Sequence, residues 1–418
     1  MRVLFYTEVW DPKVGSSTRQ MYQEATRLRE LGHAVAVVGC TQDPSEARPT
    51  KVDGTLVFRI HSDYPVRFRA WVSLHNKRVT APIEAVIAEW RPDVVHAHLI
   101  HTHIGYHALT QARRAGAGVV FTAHDVMVFC YQKLTCFHGG EAHGGTLRDY
   151  EARLSKCVPC QRFRFRPGRN AAIRKILERD VHRFTVVSDE LGEVIRANGI
   201  RVDRTVYNAI RPQAALPDAG AVAAFRERFG LRGKRVLAIG GRLHEQKGVS
   251  KLLAMLAHLR SEFPDLRLLV MGRREIYEGS FAAEARALGV ADAVVSTDWL
   301  SGEELQCAYA ATDVFVTPSI CFDTFGLVNL EAMEHKKPVV ATEFGGSPEV
   351  VADGVSGFIA NPFDVPAYAE KIAQLLRDEG LRRTMGAAGH ARMLERFTIE
   401  RLTDEYLEEY ERAIELAR

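Results

Sequence analysis

Two short stretches in the second half of the sequence combine residue types that can do chemistry. The first is Asp323-Thr-Phe-Gly-Leu-Val-Asn-Leu-Glu331, where two acidic residues bracket an apolar run interrupted by a glycine. If Gly326 opens a helix, the main-chain N–H groups of Phe325, Gly326 and Leu327 form an anion-binding helix start. Glu331 then falls one to two turns in, where its carboxylate can accept hydrogen bonds from a diol. An ordinary surface helix with an N-terminal Asp favouring the dipole explains the same residues. The second stretch is Gly240-Gly-Arg242-Leu-His-Glu-Gln-Lys247-Gly248, directly after a strand-like run. Gly240 and Gly241 let the backbone approach a ligand closely, and Arg242 and Lys247 put two cations at a loop–helix junction. Fixed cations and amide dipoles stabilise negative charge that grows on a phosphate leaving group. The plain alternative is a βα loop with exposed cations.

The elements that must position these residues alternate along the chain. Arg2 to Tyr6 reads as a buried strand, 15–31 as a helix with Met21, Ala25 and Leu28 on one face, and His33 to Val38 as a second strand. Short β-branched runs follow at 93–97, 118–122 and 184–188. The rhythm restarts with strands at 235–239, 266–271, 313–317 and 337–341. Strands alternating with helices predict two Rossmann-like, doubly wound α/β units with parallel sheets, facing across a cleft. Ligands of such sheets bind outside the carboxyl ends of the strands. The expected domains are 1–210, carrying a Cys-containing insertion at about 126–170, and 211–395, with the Pro- and Ala-rich stretch 211–222 as linker. A final amphipathic helix, in 396–418, is expected to pack back across the domain junction.

Bulk properties narrow the function classes. The 418 residues are 46% hydrophobic and 26% charged, with a net charge of +3, so no global field argues for nucleic acid. No apolar stretch approaches the roughly 20 residues that span a bilayer. The N-terminus reads as a strand, and the expected location is cytoplasmic. A dinucleotide-dependent dehydrogenase is disfavoured, because no Gly-x-Gly-x-x-Gly follows the first strand.

In order and spacing the motifs resemble glycosyltransferase family 4, retaining enzymes with the GT-B fold, over nearly the whole chain. The likeness includes the loop at Gly15, Leu31-Gly-His33, Pro92-Asp-Val-Val-His-Ala-His98, Thr122-Ala-His124-Asp125, Ser188 and Asn208. It continues through Arg242, Lys247, the Asp323–Glu331 motif, Gly345-Gly-Ser-Pro-Glu349 and Asp353-Gly-x-x-Gly357. The resemblance implies transfer of a sugar from a nucleotide-diphosphate donor, UDP- or GDP-linked with UDP the commoner, to a small-molecule or glycan acceptor. It gives Arg242 and Lys247 the diphosphate, with Gly241 beside them, and Glu331 the ribose. Asp323 and the amides of Phe325 to Leu327 would contact the sugar and phosphate, Leu300 the base, and His124 the donor sugar. Gly15, Ser16 and His98 would line the phosphate or acceptor side. No catalytic metal is implied. Asp323 stands where Glu is usual, Gly15-Ser16-Ser17 where a glycine pair is common, and Ala209 follows Asn208 in place of Gly. Asp323 and the Gly-Ser-Ser loop motivate one rival, a catalytically quiet nucleotide-sugar binding protein; a sugar-nucleotide epimerase on the same fold is another.

Three clusters stand apart. Cys130, Cys136, Cys157 and Cys160 suit a structural zinc site, with Cys157-Val-Pro-Cys160 as a knuckle-like pair; free thiols or a disulfide are the alternatives. His96, His98, His101, His103 and His107 are dense, but only His96 and His98 share a strand face, which disfavours a metal. Arg67-Phe-Arg69-Ala-Trp71 and Arg162-Phe-Arg-Phe-Arg166 interleave basic and aromatic residues. They suit a weak contact with an anionic membrane surface, a sugar or anionic acceptor, or simply a solvated face.

Overall fold

A computed structural model describes residues 1–11 and 15–418; the Ser16 side chain lies outside the described residues. The chain forms two compact units. The first holds 1–134, 150–208 and 399–418, and the second holds 135–149 and 209–398. The boundary thus falls at Asn208/Ala209. Part of the predicted insertion, 135–149, belongs to the second unit, which differs from the expectation of a single first-domain insertion. The terminal helix Ile399–Ala417 belongs to the first unit, where it packs on a central strand and on the helix Ser16–Glu30.

The first unit is built on eight strands: β1 (Arg2–Tyr6), β2 (Ala34–Thr41), β3 (Pro49–Val52), β4 (Thr55–His61), β5 (Val94–Ala97), β6 (Gly118–Ala123), β7 (Arg183–Val186) and β8 (Arg204–Thr205). Their order is β3-β4-β2-β1-β5-β6-β7-β8, and every pair is parallel except β3 with β4. Val3 to Tyr6 and all of β5 and β6 are buried, as strands covered on both faces must be. Met21, Ala25 and Leu28 are fully buried on one helix face, as the 3.6-residue period predicts.

The second unit carries β9 (Arg235–Gly240), β10 (Leu266–Met271), β11 (Val294–Ser296), β12 (Val314–Thr317), β13 (Val339–Thr342) and β14 (Gly357–Ala360). The order is β11-β10-β9-β12-β13-β14, all parallel. Leu237, Ile239, Leu268, Val314 and Val316 meet Leu252, Leu256, Tyr368 and Ile372 from the covering helices in one core. In each sheet the chain reverses direction of growth at one point, between β1 and β5 in the first and between β9 and β12 in the second. Loops leaving those strands diverge and leave a crevice at the carboxyl edge. Both motif-bearing loops leave that edge.

Candidate active site

In the second unit, β9 runs into Gly240 and Gly241. Gly241 has φ 101°, which a side chain rarely tolerates, and the loop leaves Arg242 exposed. A single 3-10 turn, Glu245–Lys247, ends at Gly248 with φ 72°. A Cβ on Gly248 would lie 1.8 Å from the Pro318 carbonyl oxygen, so only glycine lets this loop close against the loop after β12. That closure brings Lys247 to Asp323, with Nζ to Oδ2 at 2.8 Å. Ser319 donates to the same carboxylate oxygen at 2.9 Å. Burial lowers the pKa of the Lys247 ammonium, but the Asp323 carboxylate and Cys321 outweigh it and hold it above the usual lysine value. The group is therefore cationic throughout the neutral range.

Gly326 opens the helix Leu327–Glu334 with φ 83°, and a Cβ there would meet the Asn329 amide at 2.7 Å. The predicted helix start is therefore present; the Asn329 N–H donates to the Gly326 carbonyl at 2.9 Å, and the N–H groups before it lack intrahelical acceptors as at any helix N-terminus. Phe325 and Leu327 are buried at this point. Glu331 falls one turn in, buried, and accepts a 2.5 Å hydrogen bond from the Tyr309 hydroxyl. Asp323 is fixed from its other side by Gly345 and Gly346. The Gly346 N–H donates to the Asp323 carbonyl at 2.8 Å, and a Cβ on Gly345 would come within 2.2 Å of that oxygen. Leu300 is buried in the loop before the helix Gly302–Ala310, next to half-exposed Trp299.

Residues that the sequence did not mark complete this arrangement. The segment 135–149 docks within the second unit beside Asp323. Phe137 packs edge-on against Phe322 and Phe344, and the His138 ring nitrogen Nε2 lies 2.7 Å from the Ile320 carbonyl. Ser319 and Tyr309, the partners of Asp323 and Glu331, also went unmarked. Ser319 carries a local signal, a hydroxyl four residues before the acid. Tyr309 and His138 carry none, because their partners are far along the chain.

In the first unit, His98 and His124 directly follow β5 and β6. His98 Nδ1 lies 3.0 Å from His124 Nε2, so one ring donates and the other accepts. Burial first, then neighbouring histidines, hold His98 well below its ordinary pKa, and the same causes bring His124 down to about 3. Both are neutral at pH 7. Gly15 caps the helix Ser16–Glu30 with φ 84°, a conformation only glycine adopts freely, at the loop after β1. Gly15 and His98 therefore flank the β1/β5 switch point.

Among the described residues, the only group of three metal-type ligands within 4.8 Å is Glu24, His96 and His98. His96 spends both ring nitrogens, at 2.7 Å each, on Tyr410 and Thr122 hydroxyls, so it has no lone pair to spare while those bonds hold. The four cysteines are not gathered into such a group among the described residues. Cys136 belongs to the second unit and the other three to the first. Cys157 and Cys160 lie inside the helix Leu154–Gln161 instead of on a knuckle turn.

Comparison with known proteins agrees with this geometry. Residues 15–210 match the glycosyl transferase 4-like domain, and residues 223–392 match glycosyl transferases group 1. With two parallel-sheet α/β units, these matches define a chain of the GT-B class. It is of the group 1 glycosyltransferase type. One relative, the GDP-mannose-dependent alpha-(1-6)-phosphatidylinositol monomannoside mannosyltransferase of Mycolicibacterium smegmatis, is 37% identical over 179 residues. That stretch covers 41% of this chain and 47% of the relative, so the chain spans about half of that protein's length. Among solved structures, sucrose-phosphate synthase from Thermosynechococcus elongatus superposes with a TM-score of 0.76 at 19% identity, covering 98% of each chain. Anabaena HepE in complex with UDP-glucose superposes at 0.72 and 18% identity, again over 98% of each chain. At such identities these structures establish the shared fold alone. No helix among the described residues is long and apolar enough to cross a membrane.

Proposed function

We propose that the chain is a retaining, hexosyltransferase-type glycosyltransferase that moves a sugar from a nucleotide-diphosphate donor, UDP-linked in the first instance, to a small-molecule, glycan or lipid-linked acceptor. The observation that carries this reading is the Lys247–Asp323 pair at the β9/β12 switch point. An ammonium has three N–H donors, and Asp323 takes one of them. The others, with the exposed Arg242 guanidinium and the helix start at Gly326, are the groups that receive diphosphate charge as the glycosidic bond breaks. Glu331, aimed by Tyr309, takes the ribose diol, and the loop at Leu300 takes the base. The acceptor oxygen attacks the anomeric carbon on the face the phosphate leaves, and the departing phosphate takes the acceptor proton. Neutral His98 and His124 contact sugar or acceptor hydroxyls without adding charge. Protein cations stand in for a catalytic divalent metal, and the reaction belongs in the cytoplasm.

The test is a screen of UDP- and GDP-linked sugars, scored for nucleotide release with and without an acceptor pool, in the presence of a chelator. Acceptor-dependent release that survives chelation supports the reading. Binding without turnover would establish the quiet binding protein instead, and release without acceptor the epimerase. Activity lost to the chelator and restored at once by magnesium would overturn the metal-free mechanism.

A further inference from the structure

The first unit exposes an apolar, basic face that the proposed reaction does not use. Its centre is the helix Leu154–Gln161, which is turned inside out. Leu154 and Val158, four residues apart and so on one side of the helix, are 71% and 43% exposed, whereas the residue it buries is Gln161. The 3-10 turn that follows, Arg162–Arg164, holds Phe163 at 78% exposure. A surface helix ordinarily points its apolar stripe at the core; this one offers it to the surroundings. The chain then runs into Arg166, which ties the helix to a second segment. Arg166 donates to the Trp71 carbonyl at 2.7 Å, and its guanidinium lies 5.1 Å from the centre of the Trp71 ring. Arg69 in turn donates to the Tyr131 carbonyl, and the Tyr131 hydroxyl donates to the Arg166 carbonyl at 2.9 Å. Val66, Phe68 and Trp71 of this second segment are close to half exposed. Three of the four exposed Phe and Trp side chains among the described residues thus fall on one face, which is more than the scattered exposure of an ordinary surface.

The charge on this face is one-sided. The segments 66–78 and 151–169 together hold ten basic residues and one acidic one, in a chain whose net charge is only +3. The acid, Glu151, is paired with Arg153 at 3.1 Å. Arg67, Arg162 and Arg164 are exposed and, among the described residues, make no ion pair. A solvated basic face accounts for these arginines but not for Leu154, Val158 and Phe163 beside them. Cations interleaved with protruding apolar side chains match an anionic bilayer, whose phosphates take the charge and whose acyl boundary takes the apolar groups.

We propose that this face seats the protein on an anionic lipid bilayer, with Leu154, Val158 and Phe163 entering the headgroup layer and Arg67, Arg162 and Arg164 meeting lipid phosphates. The face is built on the loop that leaves β6 at His124. Arg169 donates to the Met127 carbonyl and Asn170 to the Phe129 carbonyl of that loop, each at 2.6 Å. Seated in this way, the first unit holds its acceptor-side loop against the bilayer, which selects a lipid-linked acceptor among the classes proposed above. That last step rests on the proposed transfer; the seating does not.

The probes are vesicles of phosphatidylcholine alone and of phosphatidylcholine with phosphatidylglycerol, sedimented with the full chain. The parent is expected to sediment with the anionic vesicles only, and less as salt is raised. Arg67→Gln/Arg162→Gln/Arg164→Gln should weaken that binding about a hundredfold, since each arginine near an anionic surface contributes roughly a fivefold gain. Leu154→Ser/Phe163→Ser changes exposed positions to which folding is nearly indifferent. It should weaken binding at least about tenfold and leave the salt dependence in place. Sedimentation involves no transfer, so its failure leaves the proposed function standing, and inactivity with every donor leaves the seating standing. A parent that ignores anionic vesicles, or binds both compositions alike, overturns the proposal. So do Leu154→Ser/Phe163→Ser chains that bind as the parent does, because the face is then a general polyanion surface. A parent dimer in light scattering that the same two substitutions separate assigns the face to a second copy and overturns it as well.

Discussion

Lys247 and Asp323 lie 76 residues apart in sequence, yet Nζ and Oδ2 are 2.8 Å apart at the carboxyl edge of the second sheet. The pair ties the loop after β9 to the loop after β12, the two neighbouring strands from which the sheet grows in opposite directions. Lys247→Ala should therefore act twice. Asp323, whose side chain is 10% exposed, loses the Lys247 ammonium, while the lysine itself is 36% exposed and partly screened by solvent. The discounted cost to stability is about 1 kcal/mol. Transfer should fall at least a hundredfold, because the charge acts most in the transition state. Denaturant melts and donor turnover on the same preparation check both; near-normal turnover would remove Lys247 from the site.

Tyr309 holds Glu331 through a 2.5 Å hydrogen bond between buried groups. Tyr309→Phe removes the bond and keeps the ring, so the fold should lose only about 1–2 kcal/mol. If Glu331 grips the donor's ribose, the carboxylate without the Tyr309 bond is less well aimed and KM for the nucleotide sugar rises, with kcat changing less. Glu331→Ala should abolish transfer and leave a folded protein. Steady-state kinetics on the two variants decide, and an unchanged KM in Tyr309→Phe would show that the tyrosine does not orient the acid.

Gly248 and Gly230 have similar backbone angles, φ 72° and 65°, but different surroundings. A Cβ at 230 meets nothing within 4 Å, whereas one at 248 would overlap the Pro318 oxygen. Gly230→Ala should thus cost about 1–2 kcal/mol, the left-handed strain alone. Gly248→Ala must also push the two loops apart, so it should cost more and take activity with it. Equal stabilities and rates for the two variants would mean that the loop closure is unimportant.

The fold was largely readable because its strands are buried runs with sharp edges. β1 and β10 begin and end where the runs 2–6 and 266–271 do in the sequence. The β3–β4 hairpin escaped because it is half exposed and mixed in composition, although its Asp53-Gly54 turn, with φ 45° and 80°, carries a hairpin signature. Gly241 and Gly326 were legible as backbone necessities. The pairings Lys247–Asp323 and Glu331–Tyr309 were not, since tertiary geometry sets them and sequence distance says nothing about it. The same limit hid segment 135–149, which leaves the first unit's sequence to pack beside Ile320 and Phe322 in the second.

That packing makes a prediction of its own. Phe137 is fully buried against Phe322 and Phe344. Phe137→Ala should cost about 3–5 kcal/mol, as for other large core truncations. His138→Ala removes the contact with the Ile320 carbonyl at smaller cost and should loosen the loop that carries Asp323. Proteolysis within 318–324 and donor KM should both increase. If neither changes in a folded His138→Ala protein, the segment does not support the site.

The buried histidines set the response to acid. His98 and His124 titrate below the ordinary histidine value because burial, then neighbouring histidines, oppose a charge there. Such groups bind a proton in the unfolded chain sooner than in the native one. Their contribution to stability is therefore complete above about pH 6.5, the unfolded value. It is lost as pH falls from there toward the folded values, near 3 for His124, at roughly 1.4 kcal/mol per pH unit for each histidine. Glu8 works the other way. Burial raises its carboxyl to about 7, so it favours the native state as pH falls through the same window, and it offsets one of the two histidines. Urea melts at pH 7.5, 6.0 and 5.0 should show a net loss on acidification. In a folded His98→Asn/His124→Asn protein the slope between pH 6.0 and 5.0 should flatten, because two of the depressed histidines are gone while others, such as His182 and His335, which burial brings down to about 4, still oppose Glu8. A slope equal to that of the parent would mean that the two rings do not resist protonation as their burial requires.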